Sequence, residues 1–124
     1  EAAWVVHGEG GLDEVAPTGE TRVAMLRAGV VEERTLRPAD FGVEPVPLES
    51  LAGGDAEENA RIAREILGGG GGPKRAAVLL NAGAALCVAG KAATPAEGAR
   101  LAGEALDEGR AAATLEAWAK ASQA

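Results

Sequence analysis

Around residue 50 the hydrophobic pattern changes its period. Up to Leu36 the apolar residues come in short, β-branched runs cut by glycine and proline; from Asp55 onward they recur every three or four residues. Short β-branched runs make strands, and the longer period makes helices with one apolar face. The order of the two patterns predicts an α/β fold: a few strands and a hairpin within residues 1–36, then about four helices packed against them.

In the strand half, AWVVH (Ala3 to His7) predicts a buried strand. GEGGLDEVAPTG (Gly8 to Gly19) is a loop by its glycine and proline content. TRVAML (Thr21 to Leu26) and VVEERTL (Val30 to Leu36) flank Arg27-Ala28-Gly29 and predict a hairpin. Arg37 to Pro47 carries Pro38, Pro45 and Pro47, which rules out regular pairing; an irregular connector is expected, with a helical turn at Pro38-Ala39-Asp40.

In the helical half, Asp55 is a good N-cap, and Glu57 and Glu58 suit the positive end of the helix dipole. Ile62, Ala63, Ile66 and Leu67 share a face. The helix stops at five glycines, Gly68 to Gly72, read as a flexible surface link. A phosphate-binding P-loop needs Lys-Ser or Lys-Thr after its glycines; Pro73-Lys74-Arg75 follows here, so that pattern fails.

Pro73 can open the next helix, and Lys74 to Ala89 is apolar almost all the way round, which predicts a buried helix. Gly83 admits another backbone. Asn81 must find partners, either in a ligand or active-site loop or in a neighbouring backbone. Cys87 reads as a small buried hydrophobe. Thr94-Pro95-Ala96-Glu97 is a capping box with proline at the first helical position. That helix shows Leu101, Ala105 and Leu106 on one side and ends near Gly109. A last helix, Ala111 to about Ser122, presents Leu115 and Trp118.

Charge narrows the partners. Nineteen acids against 12 bases give a formal charge of −7, which disfavours a nucleic-acid backbone, since that binding needs clustered Lys and Arg. A phosphorylated ligand stays open, because a bound cation or a local Arg reverses the field. A single cysteine permits no internal disulfide and suits a reducing cytosol. No apolar stretch is long enough for a membrane span. The chain opens at Glu1 just before a strand, and a piece of a longer protein is expected.

The chemistry concentrates in Asp13 and Glu14. On a regular strand they would point to opposite faces, but Gly10 and Gly11 allow a loop that aims both carboxylates at one place. Two close carboxylates repel unless a cation sits between them. Hard oxygen donors suit Mg²⁺, which takes one or two carboxylates plus substrate phosphates. A solvated acidic loop is the alternative; the spacing does not fit a calcium-binding EF-hand.

VVHG followed by GLDEVAPTG, then ETRVAMLRAGVVEERTLRPADFG, GGDAEENARIAREIL and AVLLNAGAALCVAGKA, resembles the C-terminal part of the anthranilate phosphoribosyltransferase family, in the family's order and over about Trp4 to Ala117. The resemblance implies transfer of a phosphoribosyl group from phosphoribosyl pyrophosphate to anthranilate in tryptophan biosynthesis. It implies a cytoplasmic homodimer with a small helical domain and a larger α/β domain, of which residues 1–124 would be the C-terminal portion. It also implies that Asp13 and Glu14 hold Mg²⁺ against the pyrophosphate.

The family's Gly-Thr-Gly-Gly-Asp loop and its Lys-His-Gly-Asn-Arg-type segment have no counterpart in this sequence. The isolated chain is therefore expected to be inactive. His7 is a substrate-site candidate, either a base for the anthranilate amine or a hydrogen-bonded residue at the mouth of a cleft. The competing readings are a pyrimidine nucleoside phosphorylase-like enzyme and a non-catalytic interaction domain.

Overall fold

The computed structural model describes residues 1–123. Strands β1 (Ala2–Gly8), β2 (Thr21–Arg27) and β3 (Val30–Leu36) form an antiparallel sheet in the order β1-β2-β3. Helices α1 (Ala56–Leu67), α2 (Pro73–Val88), α3 (Pro95–Asp107) and α4 (Arg110–Ser122) follow. The α/β expectation and its division of the chain hold. Short 3₁₀ turns at Glu9–Gly11, Pro38–Phe41 and Leu48–Leu51 punctuate the loops; the second is the expected turn after the hairpin, and the third has no clear sequence signal.

β2 runs through Arg27, which pairs with Val30, so the hairpin loop is Ala28-Gly29 alone. Both loop residues have positive φ, 51° and 81°. That is the twist a two-residue hairpin needs, and alanine supplies it at a steric cost.

The register sorts the side chains. Trp4, Val6, Val23, Met25 and Leu36 share one face of the sheet; Val5, His7, Arg22 and Val31 share the other. The first face meets Leu80 and Ala84 of α2, Ala99 of α3, and Phe41 and Val15 from the loops. Val23 and Leu80 are fully buried, each contributing about 1.5–3 kcal/mol of apolar burial. The expectation of a buried first strand is corrected here. Only one face of the sheet is covered, so β1 alternates, and Val5 is 71% exposed.

Helix α2 is the hub of the helical layer, but it is not buried all round. Ala76, Leu80, Gly83 and Ala84 form its buried strip, while Ala85, and Ala89 just past its end, face solvent. Alanine makes this possible, since it is apolar by composition yet leaves little surface when exposed. Where α2 meets α3, a Cβ on Gly83 would lie 2.7 Å from the Ala99 nitrogen. Gly98 faces the Gly83 carbonyl as closely, so the helices touch backbone to backbone. This is the close approach expected of Gly83.

Caps follow the sequence with one variation. Asp55 Oδ1 accepts from Glu58 N (2.9 Å), and Thr94 Oγ1 accepts from Glu97 N (3.2 Å). The Glu97 carboxylate closes its box one residue upstream, on Ala93 N (2.8 Å). The glycine run departs from a flexible link. Gly70 N donates to Glu65 O (2.8 Å), and Arg75 Nη1 donates to Gly69 O and, at longer range, Gly70 O. Arg75, only 17% exposed, also donates to Asp107 at 2.8 Å. One side chain thus fastens the run to the start of α2 and the end of α3.

Candidate functional site

The glycine-rich loop after β1 is closed by its own backbone. Gly8 N donates to Leu12 O (2.8 Å) and Glu9 N to Glu20 O (2.7 Å). Gly10 and Gly11 have φ of 76° and 85°, angles that turn the chain back and that a Cβ would resist. Gly8 has a different duty: a Cβ there would lie 2.8 Å from Glu14 O and 2.9 Å from Ala16 Cβ. The loop folds directly over it.

After the acids the chain dives inward. Val15, Ala16 and Pro17 are buried. Thr21 is fully buried, and its Oγ1 accepts from Ala16 N (2.8 Å). Sequence reasoning passed over Thr21; the signal was a hydroxyl residue at the first position of a strand after a tight loop, where it can bond back to the loop backbone. Pro17 O accepts from Val46 N (2.9 Å), pinning the connector over the same segment.

Asn81 links this loop to α2. Its Oδ1 accepts from Val15 N (2.9 Å), and its Nδ2 donates to Val15 O (3.1 Å), Ala77 O (3.0 Å) and Glu14 Oε2 (3.2 Å). The structural expectation for Asn81 holds: it is bonded to a neighbouring backbone, that of the loop carrying Asp13 and Glu14.

Asp13 is exposed and Glu14 half-buried. Burial, and then the adjacent Asp13 charge, push the Glu14 carboxyl above its ordinary value. A carboxylate in that position is stabilised by a cation. Among the described residues no three His, Cys, Asp or Glu side chains converge on a metal position. Two carboxylates suit a hard ion that takes its remaining oxygens from substrate and water. Glu14 also borders a cavity of about 170 Å³ with Lys74 on its wall, whose Nζ donates to Ser50 O (2.7 Å).

His7 stands apart. It is exposed, on the sheet face that the helices leave uncovered, beside Arg22 in a shallow depression. Glu14 is bonded to α2, which covers the other face. Cys87 is half-buried on α2, and burial followed by the Glu97 charge raises its thiol pKa, the mark of an inert thiol. No helix among the described residues is long and apolar enough to cross a membrane.

The family model described as "Glycosyl transferase family, a/b domain" matches residues 1–112. An anthranilate phosphoribosyltransferase of Geobacter sulfurreducens is 53% identical over 113 residues, 91% of this chain and 32% of the relative. The crystal structure of that enzyme from Thermus thermophilus superposes with a TM-score of 0.85 at 43% identity, over 94% of this chain and 34% of its own. The Saccharomyces cerevisiae enzyme in complex with PRPP and Mg gives a TM-score of 0.83 at 32% identity, over 91% of this chain and 33% of its own. The same yeast enzyme is also known in complex with 4-fluoroanthranilate. The chain thus spans about a third of the length of the relatives it matches. Residues 1–112 carry the family's pattern, the fold superposes on solved members, and the chain belongs to the glycosyl transferase family, a/b domain, in which it is similar to the anthranilate phosphoribosyltransferases.

Proposed function

We propose that this chain is the C-terminal portion of an anthranilate phosphoribosyltransferase, and that Asp13 and Glu14 hold Mg²⁺ against the pyrophosphate of phosphoribosyl pyrophosphate. The observation that carries the reading is the adjacent acid pair on a closed loop, in a chain 53% identical to an enzyme of that name. A complex of a 32% identical relative with PRPP and Mg supports the choice of ligand and ion. The relatives favour the transferase over a nucleoside phosphorylase or a non-catalytic domain.

In the reaction the anthranilate nitrogen bonds to the ribose anomeric carbon as the bond from that carbon to the pyrophosphate oxygen breaks. The pyrophosphate leaves with the bonding electrons, and the amine's proton passes to solvent water. Asp13 and Glu14 would hold the Mg²⁺, which would supply positive charge against the departing diphosphate. The residues of this chain supply the carboxylates and their placement. Asp13, exposed, can meet a ligand from solvent; Glu14, half-buried and bonded to Asn81, sets the inner side. The rest of the clamp lies outside these residues. The net charge and lone cysteine fit a cytoplasmic enzyme, and the family resemblance adds a homodimer to the proposal.

The test is a titration of Mg²⁺ into the full-length enzyme, with and without pyrophosphate. Metal binding that depends on the diphosphate, and is lost in an Asp13→Asn, Glu14→Gln double variant, is the expected result. Equal binding by the double variant would overturn the assignment.

A further inference from the structure

We infer that Asn81 is the positioning residue of the acidic loop, setting from helix α2 where the Glu14 carboxylate stands. The inference rests on the metal reading above and deepens it.

Asn81 uses both ends of its amide on the loop. The Oδ1–Val15 N and Nδ2–Val15 O bonds, 2.9 and 3.1 Å, hold the peptide backbone on both sides of Val15. The third bond, Nδ2 to Glu14 Oε2 at 3.2 Å, orients the carboxylate itself. A carboxylate oxygen engaged by an N–H is turned, which leaves the other oxygen to be offered to a ligand. The fourth, Nδ2 to Ala77 O at 3.0 Å, fixes the amide to its own helix. The nitrogen's two N–H groups thus serve three acceptors, one hydrogen being shared, and the oxygen meets one donor, an arrangement that leaves the amide one orientation.

The anchor is as rigid as the helix that carries it. Leu80, immediately before Asn81, and Ala76, five positions before it, are buried; two positions after it, Gly83 abuts the backbone of α3. Movement of α2 is resisted by two packed layers, and Asn81 transmits that rigidity to a loop whose other end is glycine. A loop of this composition left to itself would sample many conformations before binding. Outer groups that orient metal ligands typically affect metal affinity by about 10- to 100-fold.

The test measures binding rather than turnover alone. Mn²⁺ is titrated calorimetrically into the full-length enzyme in the presence of pyrophosphate, for the wild type, Asn81→Ala and Glu14→Gln. The expected result is a loss of about tenfold or more in Mn²⁺ affinity for Asn81→Ala. Excess Mg²⁺ should restore its kcat, while Glu14→Gln stays impaired at any Mg²⁺ concentration. A purely structural role would lower the melting temperature without moving the metal affinity. Should Asn81→Ala fail to fold, Asn81→Ser, which retains one hydrogen-bonding group, carries the same comparison. The inference is overturned if Glu14→Gln loses metal and the folded Asn81 variant binds within about twofold of wild type. If Glu14→Gln itself binds normally, the metal reading falls first and Asn81 with it.

Discussion

Gly83 and Gly98 are 15 positions apart in sequence and in backbone contact in space; a Cβ on Gly83 would lie 2.7 Å from Ala99 N and 3.0 Å from Gly98 C. Neither neighbour is a flexible side chain that can swing away. Gly83→Ala should therefore separate α2 from α3 and cost about 1–3 kcal/mol, the usual range for overpacking. Urea unfolding checks this, and an unchanged midpoint would show that the helices can part at no cost.

Ala28 holds φ at 51° in the two-residue hairpin loop. Asn and Gly tolerate that region better than alanine. Ala28→Asn or Ala28→Gly should stabilise the protein by roughly 0.5–1 kcal/mol, and Ala28→Val should destabilise it. The turn lies far from the acidic loop along β2, so metal binding should be unaffected. Thermal melts of the three variants give the order.

Glu14 is raised above its ordinary carboxyl value by burial and by Asp13. The native state therefore holds this proton to higher pH than the unfolded chain does. Its effect is a loss of stability as pH rises from about 4.5 through the native value, and nothing below that window. Solvent screening keeps it small. In metal-free buffer at pH 7, Glu14→Gln should raise the melting temperature slightly, and at pH 3 not at all. A lower melting temperature at pH 7 would show that the carboxylate is stabilised in the free protein.

Replacing Asp13 and Glu14 together in the full-length enzyme should lower kcat more than it raises the anthranilate KM. Their proposed partner is the metal on the leaving group, not the acceptor. Steady-state kinetics at saturating Mg²⁺ separate the two; an effect confined to the anthranilate KM would contradict the assignment.

The 124-residue chain by itself should give no measurable transfer. Departing pyrophosphate must be held from both sides, and the acid pair supplies one. Positioning and charge stabilisation act together, so half a clamp does not leave half the rate. Loss of anthranilate fluorescence in the presence of phosphoribosyl pyrophosphate and Mg²⁺ reads this directly. Turnover on the order of 1 per second would mean the site is complete in this chain or rebuilt by its self-association.

Much of the fold was legible because its signals are local. Asp55 and Thr94 cap helices by reaching residues three positions away, and a hairpin loop is decided by its own φ angles. Asp13 and Glu14 stood out for the same reason, as neighbours behind Gly10 and Gly11. What the local pattern leaves open is which surface an element shows to the rest. Val5 and His7 look no different from Val6 until a sheet covered on one face leaves them outside. Gly68 to Gly72 looks loose until Arg75 and Asp107 close on it from two helices. Asn81 needed a partner by its chemistry alone, since a polar amide in an apolar helix demands one. That the partner is the backbone of Val15, 66 positions away, was settled only when Gly83 and Gly98 let α2 and α3 touch and the sheet seated the acidic loop against α2. A hydrogen bond across that distance depends on where whole elements pack, and packing is a property of the assembled layers rather than of any one stretch of chain.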